Sequence, residues 1–217
     1  HTHHTHTHTP HTHGRPHAQI PYRISHIAYR IMNNNERSEY LLKIQNTQND
    51  FYKIQTKHKL FKSAQKTDCT NFVNASVRLE PLIECTVFIV PNTNIIFFNY
   101  IVFKTYGNLE NCSPLYTHIV KLVETILSTY ESFEFHVNMK SFSVSACQRY
   151  SHLICSSVDT NQIFTEKLSK LVVYHTPFII DQITRMLYNS VKTFIHKAEY
   201  VSKDNSEERI SQLLTNM

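Results

Sequence analysis

Cysteine and histidine are the residue types in this chain with the strongest capacity for chemistry. His152 and Cys155 are three residues apart in a segment with helical periodicity, so an imidazole and a thiol come close enough to touch, as a base and its nucleophile do. No third group that would orient the imidazole accompanies them, and we favour a simple contact on a helix surface. Three further candidates, His118, His196 and Cys112, lack the spacing of metal ligands. We therefore expect no enzymatic activity, no metal site and no cofactor.

The 217-residue chain contains two glycines, Gly14 and Gly107. A Rossmann fingerprint, a P-loop and a nucleophile elbow each need at least two glycines close together in the sequence. Because these two lie far apart, the sequence excludes the nucleotide-binding proteins and the hydrolases that are built on those loops.

The charge of the chain argues against a nucleic-acid partner. The formal net charge is +5, but residues 1–31 contain three arginines and no acid; of the 22 basic residues, 19 lie outside this segment, against 17 acidic ones. A nucleic-acid-binding surface needs concentrated Lys and Arg.

Five cysteines without a C-x-x-C pair indicate reduced thiols. The strongest apolar run, residues 95–103, is too short to cross a bilayer, so we expect a cytoplasmic protein that contacts a membrane at its surface at most.

The N-terminal tail has a composition of its own. Residues 1–17 alternate His and Thr and hold eight of the fifteen histidines. Such a tract is able to bind metal ions, but a CA dinucleotide repeat read in one frame also encodes alternating His and Thr. We favour this second origin, with Met32 as the first native residue. Three parts are expected: a disordered tail over residues 1–31, a helical region over 32–80 and an α/β domain over 81–217.

Short apolar runs alternate with longer segments of helical periodicity after Pro81. Strands are predicted over residues 87–90, 95–103, 133–139, 171–174 and 198–201. Helices are predicted over residues 113–130, with Pro114 at the first helical position, and over 143–154, 177–195 and 204–214. This alternation predicts an α/β fold with a mostly parallel, twisted sheet of about five strands and flanking helices, preceded by one or two N-terminal helices.

Three segments resemble motifs of CRAL-TRIO lipid-binding domains, in the same order and at similar spacing. Residues 135–146 (FHVNMKSFSVSA) resemble "V-D-L-K-G-x-S-x-S", with Asn138 and Ser141 in place of the motif's Asp and Gly. Residues 164–178 (FTEKLSKLVVYHTPF) parallel "Y-P-E-R-L-x-x-L-Y-I-I-N-A-P-F", and residues 191–195 (VKTFI) stand where the family has "K-P-F-L". The second half of the chain is therefore similar to a divergent CRAL-TRIO domain.

The resemblance, which covers roughly residues 95–214, implies an apolar pocket with the sheet as its floor. Residues 178–195, here called the gate segment, match the helix that closes such a pocket. An apolar pocket suits lipid tails, because removing each CH₂ from water contributes about 0.8 kcal/mol. The resemblance assigns contacts with the lipid to these apolar side chains: Val137, Met139, Phe142, Val173, Phe178, Ile180, Ile183, Met186 and Leu187.

Serines and lysines close to these segments are the candidates for contacts with a lipid headgroup. The resemblance implies that Ser143 and Ser145 donate hydrogen bonds to a phospholipid headgroup, and Ser143 also suits the N-cap of the next helix. Lys192, Lys197 and Lys203 are candidates for attracting anionic headgroups or a membrane surface. A solvated position without a ligand is the alternative for each lysine.

Two functions of different classes fit these features. The first is binding of a hydrophobic lipid, with a phospholipid or phosphoinositide favoured, for transfer to or presentation at a transiently contacted membrane. The second is a protein-interaction scaffold of the same fold, whose pocket is filled by Phe135, Phe142 and Phe178 and which has a protein partner. A third and weaker hypothesis is a hydrolase that uses His152 and Cys155, which predicts one concave site holding both side chains.

Overall fold

Five strands form one sheet in a computed structural model that describes residues 32–55, 62–159 and 162–215, with the backbone alone over 152–159. The strands lie in the order β1-β2-β3-β4-β5. β1 is antiparallel to β2, and the other three neighbouring pairs are parallel. The strands are β1 (Val87–Ile89), β2 (Ile95–Asn99), β3 (Phe133–Asn138), β4 (Leu168–Tyr174) and β5 (Ala198–Tyr200). The predicted α/β fold with a mostly parallel five-stranded sheet is confirmed.

Helices precede the sheet, connect its parallel strands and follow the last strand. Before β1 come α1 (Asn34–Ile54), α2 (Lys62–Ser76) and α3 (Leu79–Thr86). The connections contain α4 (Tyr100–Tyr106) and α5 (Leu109–Leu127), then α6 (Val144–Asp159) and α7 (Gln162–Lys167), then α8 (Ile180–Met186) and α9 (Tyr188–Val191). After β5 comes α10 (Lys203–Thr215). Within the part of the chain that the structure describes, none of the helices has the length and apolar character needed to cross a membrane.

The order of the strands decides where the connecting helices lie. Each parallel connection steps to the next strand in the same direction, and such connections are right-handed, so all of them fall on one face of the sheet. Side chains at alternate strand positions point to opposite faces. Phe98 and Val173 point to the face covered by the connecting helices, whereas Phe97 and Val172 point to the face covered by α10.

The face towards α10 is a closely packed core. The rings of Phe88 and Phe97 lie 5.5 Å apart, and those of Phe97 and Tyr174 lie 6.4 Å apart. Val172 from β4 and Ile210 from α10 belong to the same buried cluster. This face of the sheet is therefore filled with side chains.

The N-terminal helices pack on the β1 side of the sheet. α1 begins with a capping box: the Asn33 side chain accepts the N–H of Glu36 at 3.0 Å, and the Glu36 carboxylate accepts the N–H of Asn33 at 3.2 Å. The buried Arg37 guanidinium lies 3.5 Å from the centroid of the Phe88 ring, a cation–π contact that joins α1 to β1.

The predicted strand over residues 95–103 is wrong in its second half. It ends at Asn99, because the Asn99 side chain accepts the N–H of Ile101 at 3.2 Å and thereby caps α4. After α4, Gly107 allows the Phe103 ring to lie against the backbone: a Cβ at this position would be 2.8 Å from that ring. The close approach of Phe103 therefore requires glycine here.

The predicted helix start at Ser113 is also wrong. α5 begins at Leu109, because the Asn108 side chain accepts the N–H of Asn111 at 2.9 Å. The cap is therefore Asn108, five residues before Ser113. Pro114 consequently lies inside the helix. The single helix predicted over residues 177–195 is two short helices, α8 and α9, separated at Leu187.

Candidate functional site

An apolar cavity of about 260 Å³ lies between the sheet and the helices that connect its parallel strands. Its floor follows from the register of the strands. Phe98 of β2 pairs with Val137 of β3, Val137 with Val173 of β4, and Val173 with Tyr200 of β5, so these four side chains form a row across the sheet. All four line the cavity. The register therefore brings residues that are distant in the sequence into one continuous apolar floor.

The walls of the cavity come from α4, α5 and α6. Tyr100 and Phe103 of α4 and Tyr150 of α6 lie on one side, with the Phe103 and Tyr150 ring centroids 4.8 Å apart. α5 contributes four residues at helical spacing, which places them on one face of the helix: Leu115, Tyr116, Ile119 and Val120.

The gate segment covers the cavity. Ile180, Ile183, Thr184, Leu187 and Val191 line it, at the spacing that puts side chains on one helical face. Ile183, Leu187 and Val191 are buried there. Of the predicted lipid contacts, seven line the cavity: Val137, Met139, Phe142, Val173, Ile180, Ile183 and Leu187.

The polar groups of the lining are hydroxyls. Among the described residues no charged side chain lines the cavity. The hydroxyl-bearing members are Tyr100, Tyr116, Tyr150, Thr184 and Tyr200. A ligand inside the cavity therefore meets apolar surface and a few neutral hydrogen-bonding groups.

Tyr100 contributes one of these hydroxyls. Its side chain is buried, with 7% of the residue exposed, and its ring packs edge-on against Phe142 at 4.9 Å. The Tyr150 hydroxyl donates to the Gly107 carbonyl at 3.3 Å, but the Tyr100 hydroxyl has no hydrogen-bond partner within residues 32–55, 62–151 and 162–215. Burial raises the pKa of Tyr100 to about 12, so the phenol stays protonated at neutral pH.

The cavity is partly open beside β5. Tyr200 belongs to this edge strand, lines the cavity and is 43% exposed, so one end of the cavity reaches the surface there.

The two predicted headgroup serines lie outside the cavity lining. Ser143 accepts the N–H of Ala146 at 3.3 Å, which is the N-cap alternative considered for this residue. Ser145 lies in the first turn of α6 and is exposed. The preceding turn passes through Ser141 with φ of 68°, and it leads the chain away from the cavity floor into α6.

Two predicted contacts in the gate segment also lie outside the lining. Phe178 precedes α8 in a turn and is 93% exposed, and Met186 is 44% exposed. Met186 lies off the helical face formed by Ile180, Ile183 and Leu187, so the residues on that face contact the cavity while Met186 faces water.

The three predicted lysines differ in their surroundings. The Lys197 ammonium donates to the carbonyl oxygens of Leu168 and Thr165, at 2.6 and 3.2 Å. It thereby joins the turn before β5 to the start of β4 and is occupied by backbone groups. Lys192 and Lys203 are exposed, and neither lines the cavity.

The sequence prediction missed the aromatic part of the lining. Phe98, Tyr100, Phe103 and Tyr150 line the cavity. The first three lie in the segment predicted as a strand, and Tyr150 lies in the helix predicted over residues 143–154; none of the four is among the predicted lipid contacts. Helical periodicity predicts a helix over residues 113–130, but the period is the same for the cavity-lining Leu115 and for other apolar positions of the helix that are buried outside the cavity. Hydrophobic period identifies a buried face without indicating whether that face meets a cavity.

The opposite face of the sheet holds a hydrogen-bonded polar group. His136 is buried; its Nδ1 lies 2.9 Å from the Tyr174 hydroxyl and its Nε2 lies 3.0 Å from the Glu134 carboxylate. Burial lowers the pKa of His136, while Glu134 acts in the opposite direction and Lys170 and Arg209 add to the lowering. Burial also lowers the pKa values of two other histidines, His118 and His175.

Lowering the pH from about 7.5 to about 5.5 is expected to reduce the free energy of unfolding. His118, His136 and His175 have native pKa values below the ordinary value of 6.5, so the unfolded chain takes up protons at higher pH than the native chain. The stabilisation is complete above pH 6.5 and is lost as the pH falls through the native pKa values. Urea unfolding at several pH values measures this slope.

The variant His136→Gln tests how much His136 contributes to the pH dependence of the free energy of unfolding. It should reduce the pH slope of the unfolding free energy by up to about 1.4 kcal/mol per pH unit. His196→Gln is the control, because the His196 side chain is exposed. If His136→Gln has the same slope of unfolding free energy against pH as the wild type, His136 does not contribute to it.

No cluster of three or more His, Cys, Asp or Glu side chains suited to a metal ion is present among the described residues. The side chains of His152 and Cys155, on which the hydrolase hypothesis depends, lie outside the described part of the chain.

No protein-family model, curated protein or solved structure matches this chain.

Proposed function

We propose that the chain binds a hydrophobic lipid in the cavity beneath the gate segment, for transfer to or presentation at membranes. The observation that carries the proposal is the cavity itself, about 260 Å³ lined by apolar side chains and neutral hydroxyls. Protein interiors are normally close-packed, so apolar space of this size is unusual. A lipid in the cavity covers its apolar lining, and each Å² of apolar surface removed from water contributes about 25 cal/mol.

Backbone geometry supports the resemblance on which the proposal partly rests. Ser141 and His175 have φ of 68° and 50°, a left-handed conformation that Gly and Asn adopt most readily. In the two motifs quoted above, Ser141 stands at the Gly of "V-D-L-K-G" and His175 at the Asn of "I-I-N-A-P-F". The backbone is therefore left-handed in this chain at two positions where the motifs have Gly and Asn, the residues that adopt this conformation most readily.

The scaffold alternative expects a pocket closed by Phe135, Phe142 and Phe178. Phe135 and Phe142 belong to the lining of an open cavity, and Phe178 is exposed to solvent. This arrangement favours lipid binding over the scaffold.

The test of the proposed function is the recovery of lipid from the intact chain. Organic extracts of the purified 217-residue protein, analysed by mass spectrometry, should contain about one lipid molecule per chain. The same protein should move a fluorescent lipid between donor and acceptor vesicles. Absence of both a stoichiometric lipid and transfer would refute the proposal and favour the scaffold.

Exposed apolar side chains in the gate segment support contact with a membrane surface. Phe178 is 93% exposed, and Tyr188 and Met186 are 56% and 44% exposed. Aromatic side chains at such positions insert into the interface of a bilayer. The exposed Lys192 follows α9 and is available to anionic headgroups.

Replacing Phe178 with alanine is expected to weaken binding to anionic vesicles about tenfold or more. Burying a Phe side chain in an apolar phase contributes about 1.5–3 kcal/mol, and Phe178 makes this contribution only in the membrane-bound state. Co-sedimentation with vesicles measures the loss. Ile54→Ala is the matched control, because Ile54 is 79% exposed at the end of α1, outside the gate segment; it should bind vesicles like the wild type. Equal binding by Phe178→Ala and the wild type would argue against this membrane contact.

A further inference from the structure

We infer that the cavity takes an uncharged, single-chain lipid whose one polar oxygen, a hydroxyl or carbonyl, hydrogen-bonds to the Tyr100 hydroxyl. The inference rests on the proposed function and names the class of its ligand. It differs from the phospholipid that the resemblance favours. Three observations support it independently: the volume of the cavity, the absence of charged side chains from its described lining, and the position of the Tyr100 hydroxyl.

The size of the cavity limits the ligand to one chain. An apolar cavity of about 150 Å³ binds benzene, which has six carbon atoms. In proportion, the 260 Å³ cavity takes on the order of ten carbon atoms. The two tails of an ordinary phospholipid are roughly three times as large as this cavity, with about thirty carbon atoms.

The charge of the lining excludes an ionised group from the interior. Among the described residues the lining has no Lys, Arg or His to pair with a phosphate or carboxylate. Placing an unpaired anion in such a site is far more costly than placing a neutral oxygen there. The predicted headgroup residues do not supply the missing charge, because Ser143 caps α6, Lys197 is bound to backbone carbonyls, and Lys192 lies outside the lining.

Tyr100 provides the polar contact. It is 7% exposed, lines the cavity, and has a hydroxyl without a partner in the described part of the chain. A hydroxyl that lines a cavity is able to donate or accept a hydrogen bond with a ligand. A neutral oxygen on the ligand completes this group, whereas a purely hydrocarbon ligand leaves it unpaired.

A series of straight-chain alcohols tests the size limit. The probes are hexan-1-ol to dodecan-1-ol, measured with the full chain by displacement of an environment-sensitive apolar dye. Affinity should rise about fourfold for each added methylene and level off near nine or ten carbons. A rise that continues to dodecan-1-ol at the same rate would overturn the size limit.

Two further probes test the charge and the number of chains. Decanoate, used at about pH 8 where it is an anion, should bind at least tenfold more weakly than decan-1-ol. Dioctanoylphosphatidylinositol should displace the dye less well than decan-1-ol. Binding of this two-chain lipid as tight as that of decan-1-ol would overturn the inference and leave the proposed function standing. Failure of every probe to bind, with no lipid in the extracts, would refute both.

The variant Tyr100→Phe tests the hydrogen bond. It should weaken decan-1-ol binding about fivefold, the value of one hydrogen bond of ordinary strength. Butylbenzene, which has ten carbons and no oxygen, is the matched probe and should bind the variant within about twofold of the wild type. Unchanged binding of butylbenzene shows that the variant is folded with its cavity intact. Equal affinity of both proteins for decan-1-ol would overturn the assignment to Tyr100.

Discussion

Replacing Val137 with tryptophan is expected to abolish lipid binding and leave the chain folded. Val137 lies on β3 in the middle of the sheet, between its register partners Phe98 and Val173, and its side chain points into the cavity. An indole at this position has space only in the cavity, where it takes the place of the ligand. Because that space is empty of protein atoms, the usual overpacking cost of about 1–3 kcal/mol should be largely avoided. Lipid extracted per chain should fall more than tenfold, and the thermal unfolding temperature should change little.

The variant Val137→Ala is the matched control. It enlarges the cavity at the same position, so it should retain bound lipid while losing some stability through the deleted methyl groups. Loss of lipid in both variants would indicate damage to the sheet. Wild-type lipid content in Val137→Trp would show that lipid does not occupy the cavity.

The parallel sheet was predictable because its parts leave strong local signals. The runs at residues 133–139 and 198–201 are short and β-branched or aromatic, and both became strands, β3 and β5, with nearly the predicted bounds. The predicted bounds are wrong where a single side chain caps a helix. Asn99 and Asn108 cap helices inside segments that read as strand and as loop, and a hydrophobic pattern does not distinguish a capping asparagine from any other polar residue.

The residues that line the cavity were predictable only in part. Val137, Met139 and Val173 belong to motifs whose family has a pocket at this place, and they line the cavity. Phe178 is the last residue of the second motif, yet it is exposed, because the orientation of a turn residue depends on the backbone of that turn. Tyr100 was missed altogether, since a buried tyrosine in an apolar run looks like ordinary core until its hydroxyl is seen to lack a partner.

The two faces of the sheet should respond differently to the loss of a phenyl ring. Phe97 and Phe98 are neighbours on β2; Phe97 is 1% exposed in the solid core towards α10, and Phe98 faces the cavity. Phe97→Ala should lower the free energy of unfolding by about 3–5 kcal/mol, because its removal leaves a new void among Phe88, Val172 and Tyr174.

Phe98→Ala removes the same number of atoms from the same strand, and it should cost at least about 1.5 kcal/mol less. One side of the Phe98 ring already faces the cavity, so fewer packing contacts are lost with it. Urea unfolding of the two variants in the absence of added lipid measures the difference. Equal losses would mean that both faces are packed to the same density, and the cavity on which lipid binding depends would then not exist in the protein. A clear difference would place the empty space on the gate-segment face by a measurement that is independent of any ligand.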